Sequence, residues 1–365
     1  MAEPSSAYRR LSPVGTTAGG VEVPLFSRGR LRGVLMARRL MSVLGVTIVA
    51  VLVWTAGSAL AAPGARLKQF KVPTADSQPR AITNGPDGNR WFTEGTEFTG
   101  APAKIARITP SGVITEFAPG VSDGCSNCIL SDIASGPAGV LYATSNDPTL
   151  IRFDVNTGTF QPPVQMPNTS ALGGTLAISG DDVWVTDFNN DVVWRYSIAI
   201  GQFSSFAASN PSDVAVDAAG NAWFSEPDTS SLGRIDAVTG VVTRTPTIDG
   251  STTVASRAVA VATDGQIWFT ARFAPQAVGR LDPASGSVTL FVLTSDPGPQ
   301  GIAASPNGTV WFTQETKGNI ANITNAGVLT ESKVVKGSGP SGVTVDGNAQ
   351  PWYTMMSADR IGTLQ

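Results

Sequence analysis

One phrase returns seven times along this chain. It reads GPDGNRWFTE at residues 85–94 and comes back as GPAGVLYATS (136–145), SGDDVWVTD (179–187), DAAGNAWFSE (217–226), ATDGQIWFTA (262–271), SPNGTVWFTQ (305–314) and DGNAQPWYTM (346–355). Its anchor aromatics, Trp91, Tyr142, Trp184, Trp223, Trp268, Trp311 and Trp352, are 51, 42, 39, 45, 43 and 41 residues apart. A period of about 40–45 residues holding four short strands identifies an all-β, seven-bladed β-propeller rather than a helical solenoid. An aromatic that recurs once per unit at one place is a packing residue between neighbouring blades, and no function is assigned to the seven.

Each unit reads as an antiparallel meander. In the first, RAITNG (80–85) is the inner strand, Pro86-Asp87-Gly88-Asn89 a turn and Trp91 to Glu94 part of the second strand. KIARIT (104–109) is the third strand and VITEF (113–117) the fourth, joined by Pro110-Ser111-Gly112. Alternating apolar residues bounded by Gly, Pro, Asn and Asp are the strand-and-turn pattern. Later third strands are LIRFD (150–154), VVWRY (193–197), LGRID (232–236), VGRLD (278–282), NIANI (319–323) and RIGTL (360–364). The last unit stops at Gln365 without a fourth strand, and LKQFKV (67–72) resembles the fourth strands elsewhere. That N-terminal strand is expected to complete the last blade and close the ring, leaving no free sheet edge.

Residues 62–365 then make one propeller domain. Before it, Met41 to Ala61 is an uncharged apolar run behind Arg38-Arg39, ending in Ala59-Leu60-Ala61. This is the form of an export signal, residues 36–61, and cleavage after Ala61 leaves 304 residues, close to 43 for each unit. The same run is long enough to serve as an uncleaved anchor. Residues 1–35 read as a mis-called start or a disordered lead. The expected location is secreted or otherwise extracytoplasmic, with the membrane involved only if the segment is uncleaved. A formal net charge of −3 and a pI near 5.1 offer no basic field for nucleic acid. The domain is expected to be a monomer.

The phrases WFTE and KIARITPSGVITEF, with P-x-G at the last inner strands, resemble the virginiamycin B lyase (streptogramin lyase) family over residues 66–365. The resemblance implies a seven-bladed propeller with the same N-terminal closure. It also implies ring opening of a cyclic depsipeptide by elimination, with a histidine base in a P-H-G motif, assisting carboxylates and a magnesium ion. Here the motif is Pro340-Ser341-Gly342, the glutamate before it falls on Gly339, and the glutamate after the last W-F-x-M falls on Met356. All three are replaced, and the chain contains no histidine. A hydroxyl such as Ser341 cannot act as a base near neutral pH without a partner to take its proton. No catalytic residue is therefore assigned, and the chain is not expected to be an active lyase of this type.

Counting back eleven residues from each anchor aromatic, with one adjustment in the third unit, gives the rim of the top-face funnel: Arg80, Ser131, Gly174, Ser212, Arg257, Gln300 and Ser341. The loops between second and third strands add Glu94, Glu97, Asp187, Asn189, Asn190, Glu226, Asp228, Arg272, Gln314 and Glu315. Two arginines in a small, polar ring suit a carboxylate or phosphate. The candidate ligand-binding set is Arg80, Arg257, Gln300, Ser341, Glu94, Glu226 and Asp187, for a small anionic ligand, cell-wall material or a protein at the top face. Magnesium or calcium is a possible companion of the carboxylates. The competing reading pairs the arginines with Asp132 and Asp213 in a water-filled channel.

Cys125 and Cys128 form Cys-Ser-Asn-Cys in the long first connection. Zinc lacks further ligands, and a redox motif lacks its strand-to-helix setting. A structural disulfide suits an exported protein. P-loop, dinucleotide and G-x-S-x-G motifs are absent, and without histidine there is no Ser-His-Asp triad. Three functions remain: a binding or recognition module, an enzyme working through carboxylates (a lyase or a metal-dependent hydrolase), and a structural interaction propeller.

Overall fold

The repeated phrase folds as it does because its turn chemistry leaves one solution. In DAAGN, the Asp217 carboxylate accepts the N–H groups of Ala219 (2.9 Å) and Asn221 (3.0 Å), and Gly220 takes φ +85°. That left-handed residue is what a tight hairpin turn requires. The Trp223 indole N–H donates to Asp217 (3.1 Å), so the turn also sets the anchor aromatic. The first unit repeats this with Asp87, Gly88 (φ +77°) and Trp91 (3.0 Å).

The computed structural model describes residues 66–365, except 96–102, 121–124, 126–127, 168–173, 246–247, 249–253 and 274, together with 50–52. All of these fall in one unit, Val46–Gln365. They form seven sheets, each containing a four-stranded antiparallel meander. Blade 1 is Ile82–Asn84, Arg90–Glu94, Lys104–Ile108 and Ile114–Phe117. Blade 2 is Leu130–Ser135, Val140–Ser145, Thr149–Asp154 and Thr159–Gln165. Blade 3 is Leu176–Ser179, Asp182–Asp187, Val192–Ser197 and Gln202–Ala207. Blade 4 is Val214–Val216, Ala222–Glu226, Ser231–Ile235 and Val242–Arg244. Blade 5 is Ser256–Val261, Ile267–Ala271, Ala277–Leu281 and Val288–Val292. Blade 6 is Pro299–Ala304, Val310–Gln314, Asn319–Ile323 and Leu329–Lys333. Blade 7 is Pro340–Val345, Pro351–Met355 and Arg360–Leu364, closed by Leu67–Lys71 in the register Leu67 to Leu364. Each inner strand neighbours the next, and that of blade 7 neighbours that of blade 1.

The core sits between blades. Trp91, Trp184, Trp268 and Trp352 are fully buried or nearly so, while Trp311 is half-buried. Arginine heads lie over five of the tryptophans at 5.4–5.9 Å: Arg107, Arg195, Arg234, Arg280 and Arg90, on Trp91, Trp184, Trp223, Trp268 and Trp352. The lead and the export signal expected at 1–35 and 36–61 lie outside the described residues, apart from Ala50–Leu52, a short strand parallel to the outer strand of blade 5. Among the described residues no helix is long and apolar enough to cross a membrane.

Candidate functional site

The inner strands start at one end of the ring, and their first residues enclose a cavity of about 510 Å³. Arg80, Ser131, Ser212, Arg257, Gln300 and Ser341 line it, as counted from the anchors. In blade 3 the lining residue is Thr175 rather than Gly174. A Cβ on Gly174 would meet the Thr186 carbonyl at 1.8 Å, so that position is closed by backbone instead of open to the funnel.

Strict alternation would give the cavity every second residue of a strand, but six blades line it with two or three successive residues. Register shifts fall at Leu130/Asp132, Ser256/Val259, Pro299/Ile302 and Pro340/Val343. A bulge breaks the period of two and lets successive residues face the same side. Asp132 reaches the cavity in this way, and Asp213 lines it beside Ser212. From the sequence these two were only neighbours of the arginines; their direct succession to Ser131 and Ser212 was the available signal.

The threonine of the repeated phrase holds the rim. Thr313 donates to the Ser341 carbonyl (2.6 Å), Thr270 to Gln300 (2.9 Å) and Thr354 to Arg80 (2.7 Å). Each also accepts an N–H from the inner strand of its own blade, as Thr354 does from Gly342 (2.9 Å). Blades are therefore tied together directly beneath the funnel residues. The P-x-G glycines serve the same contact, since a Cβ on Gly342 would stand 2.4 Å from the Arg80 carbonyl.

Charge in the funnel is mixed. Arg257 is exposed within it. The protein packed around Arg257 and the charge of Arg272 lower its pKa, yet a guanidinium remains cationic at neutral pH. Arg272 donates to the Gln300 side-chain oxygen (2.5 Å) and pairs with Glu315 (2.6 Å), so it anchors the wall beside Arg257. Asp132 accepts the N–H of Leu176 in the next blade, and Asp213 that of Val259, each at 2.8 Å. Both retain some exposure to the cavity but lie deep in the ring. Burial pushes Asp132 up to about 7 and Asp213 up to about 6, against the pull of those N–H groups.

Three of the candidate ligand-binding carboxylates do not line this cavity. Glu94, Asp187 and Glu226 end the second strands and are fully buried inside their blades. Glu226 receives Arg244 in a fork (2.9–3.1 Å), the Ser209 N–H (2.7 Å) and the Ser231 hydroxyl (2.9 Å). Asp187 receives Asn190 and the Trp194 indole (3.0 Å). The Glu94 carboxylate accepts no hydrogen bond among the described residues, and burial, with Glu116 close by, raises its pKa to about 8. Loop counting put these residues at the top because it could not see the side chains turn inward toward the third and outer strands. Glu97 lies outside the described residues.

Nor do the described residues gather a ligand set for a resident magnesium or calcium ion. Among the described residues no three acidic, histidine or cysteine side chains converge, and such ions need several oxygens at about 2–2.6 Å. Cys125 and Cys128 form a disulfide, buried in the core between blades 1 and 2. The positions matching the lyase residues sit in blade 7. Ser341 and Met356 line the cavity. Gly339 has φ +59°, and a Cβ there would meet the Ser357 hydroxyl at 2.7 Å, so a glutamate is disfavoured.

Comparison with known proteins agrees with this architecture. The model of the virginiamycin B lyase family matches residues 60–252 and 244–365. A virginiamycin B lyase of Nocardia farcinica is 29% identical over 161 residues, 43% of this chain and 53% of the relative. This chain thus aligns with about half the length of that curated relative. A solved streptogramin B lyase superposes with a TM-score of 0.71 at 24% identity, covering 82% of this chain and 97% of its own. The virginiamycin B lyase of Staphylococcus aureus superposes equally, at 0.71 and 22% identity, covering 82% and 99%. These superpositions speak for the fold. With the family model spanning nearly the whole propeller, the chain belongs to the virginiamycin B lyase family.

Proposed function

We propose that the chain is an exported binding module that holds a small anionic molecule in its funnel and does not open depsipeptide rings by elimination. The observation that carries the reading is Arg257. It stands exposed in the wall of a polar cavity and is in none of the ion pairs formed among the described residues. Arg80 lines the same cavity, and Gln300 and Ser341 add neutral polar groups between them. A carboxylate can take a forked bond from Arg257 without breaking an ion pair formed among the described residues, with Asp213 and Glu315 acting on it only at longer range. The lyase reaction needs a base to remove a proton, and serine, glycine and methionine occupy the family's positions. Export rests on the apolar run that ends in Ala59-Leu60-Ala61.

Calorimetric titration of the chain with succinate and citrate tests the reading. Binding is expected, and Arg257→Ala should weaken it by about 2 kcal/mol, roughly thirtyfold, as for a charge-assisted bond. Equal affinity in the variant would sink the arginine assignment. Incubation with quinupristin, with which a catalytically inactive virginiamycin B lyase of Staphylococcus aureus has been crystallised, should yield no linear product. A second reading has one observation in its favour. Carboxyls at about 7 and 6 in one cavity suit proton transfer near neutral pH. Lactone hydrolysis lost in Asp132→Asn and Asp213→Asn would bring that reading forward.

A further inference from the structure

Five of the anchor tryptophans carry an arginine, and four of those five also carry a phenylalanine. Phe117 packs on Trp91 (5.6 Å), Phe206 on Trp184 (5.6 Å), Phe291 on Trp268 (5.7 Å) and Phe70 on Trp352 (6.0 Å). The phenylalanine always comes from the outer strand, at one register position: opposite Ile105, Val193, Val278 and Ile361 of the third strands. Blade 4 breaks the pattern. The residue opposite Leu232 is Thr245, whose backbone N–H donates to the Leu232 carbonyl (2.9 Å) and whose hydroxyl accepts the Leu232 N–H (3.0 Å). Trp223 has its arginine, Arg234 at 5.9 Å, but no ring from that strand position.

Ile248 and Val254 fill part of the gap, packed with Trp223 and Leu232, yet Trp223 keeps 6% of its surface exposed against 0–1% for the four tryptophans that carry a phenylalanine. A cavity of about 990 Å³ lies between blades 4 and 5, with Trp223, Leu232, Thr245, Val261 and Leu281 in its lining. It opens among the turns around Asp217, Gly265 and Ala284, at the opposite end of the inner strands from the funnel. Blades 2 and 6 also lack the phenylalanine. Blade 2 places Val164 there and packs Met166 into the same cluster, and blade 6 places Ser332 opposite Ile320.

We infer that this wedge is a second binding site, for a small aromatic carboxylate. The four filled blades state what the site accepts: a flat ring lying against the indole, an arrangement worth about 0.5–1.5 kcal/mol beyond the area buried. The lining supplies the charge preference. Arg234 and Arg244 both line the cavity, with side chains 29% and 40% exposed, but the Arg244 head is held by Glu226, which leaves Arg234 to meet an anion. Among the described residues the one ion pair of Arg234 is with Asp236 at 3.2 Å near the surface, beside its contact with the Trp223 ring, so its head can turn to an anion. Among the described residues the one carboxylate in the lining, Asp217, is already taken by the Asn221 side chain and the Trp223 indole.

The test uses 1-naphthoate with the full chain, followed by ligand-observed NMR and calorimetry. Binding is expected, and Thr245→Phe, which supplies the missing ring from within, should weaken it at least about tenfold while raising Tm. Thr245→Leu is the second variant, kept in case the larger ring is not accommodated; it should weaken binding in the same direction. Arg234→Ala should lower affinity for 1-naphthoate but not for its uncharged methyl ester. Naphthoate binding lost in Arg257→Ala but kept in the Thr245 variants would place the ligand in the funnel and overturn the wedge. Absence of binding at millimolar naphthoate, or an affinity unchanged from that of the unsubstituted chain in both Thr245 variants, would overturn the site. Equal loss of acid and ester in Arg234→Ala would overturn the carboxylate preference.

Discussion

The hydroxyl of Thr354 accepts the Gly342 N–H at 2.9 Å and donates to the Arg80 carbonyl at 2.7 Å, so one side chain joins two blades below the funnel. Thr354 is fully buried. Replacing it by valine keeps the shape and removes both bonds. A loss of about 1–3 kcal/mol is expected from urea unfolding, against a smaller loss for Thr354→Ser, which keeps the hydroxyl. Equal losses would mean that packing, not hydrogen bonding, sets the value of the position. The threonine belt was written in every W-F-T of the sequence, yet its partners lie in another blade. Only the assembled ring shows why the residue recurs.

At the scale of elements, the strand Leu67–Lys71 does for blade 7 what each outer strand does for its own sheet. It pairs along Arg360–Leu364 and sets Phe70 on Trp352. Removing residues 66–72 exposes a bare edge and uncovers the tryptophan. A lower Tm and concentration-dependent association in gel filtration are expected, because an unpaired strand edge recruits other chains. A monomer of unchanged Tm would show that closure does not hold the ring. This closure was legible in the sequence, since a three-stranded final unit needs a fourth and LKQFKV has the right pattern. The second cavity was not, because the consequence of Thr245 appears only against the four rings that fill its position elsewhere.

The whole molecule has a pH dependence written into its buried carboxyls. Asp132, Asp213 and Glu94 are raised to about 7, about 6 and about 8, from ordinary values of 3.8, 3.8 and 4.5. The folded state keeps these protons after the unfolded chain has released them, so stability falls as pH rises from about 4 to 8. Asp87, Asp217 and Glu116 are lowered, and their contribution disappears only in acid, as pH falls below the ordinary carboxyl range. Chemical denaturation at pH 5, 6.5 and 8 should therefore show declining stability, with a flatter profile in Glu94→Gln. An unchanged slope in that variant would remove Glu94 from the account. For the molecule as a whole, period, hairpin turns and blade number follow from residues within about forty positions of one another, and the closing strand from the gap they leave in the last unit, so local spacing and turn chemistry suffice to specify them. The funnel and the wedge depend on strands far apart in the chain, on bulges that turn two successive residues inward, and on whether Glu226 finds Arg244 inside its own blade. Convergence of that kind is a property of the packed ring, where every lining residue is positioned by neighbours that the linear order does not bring near.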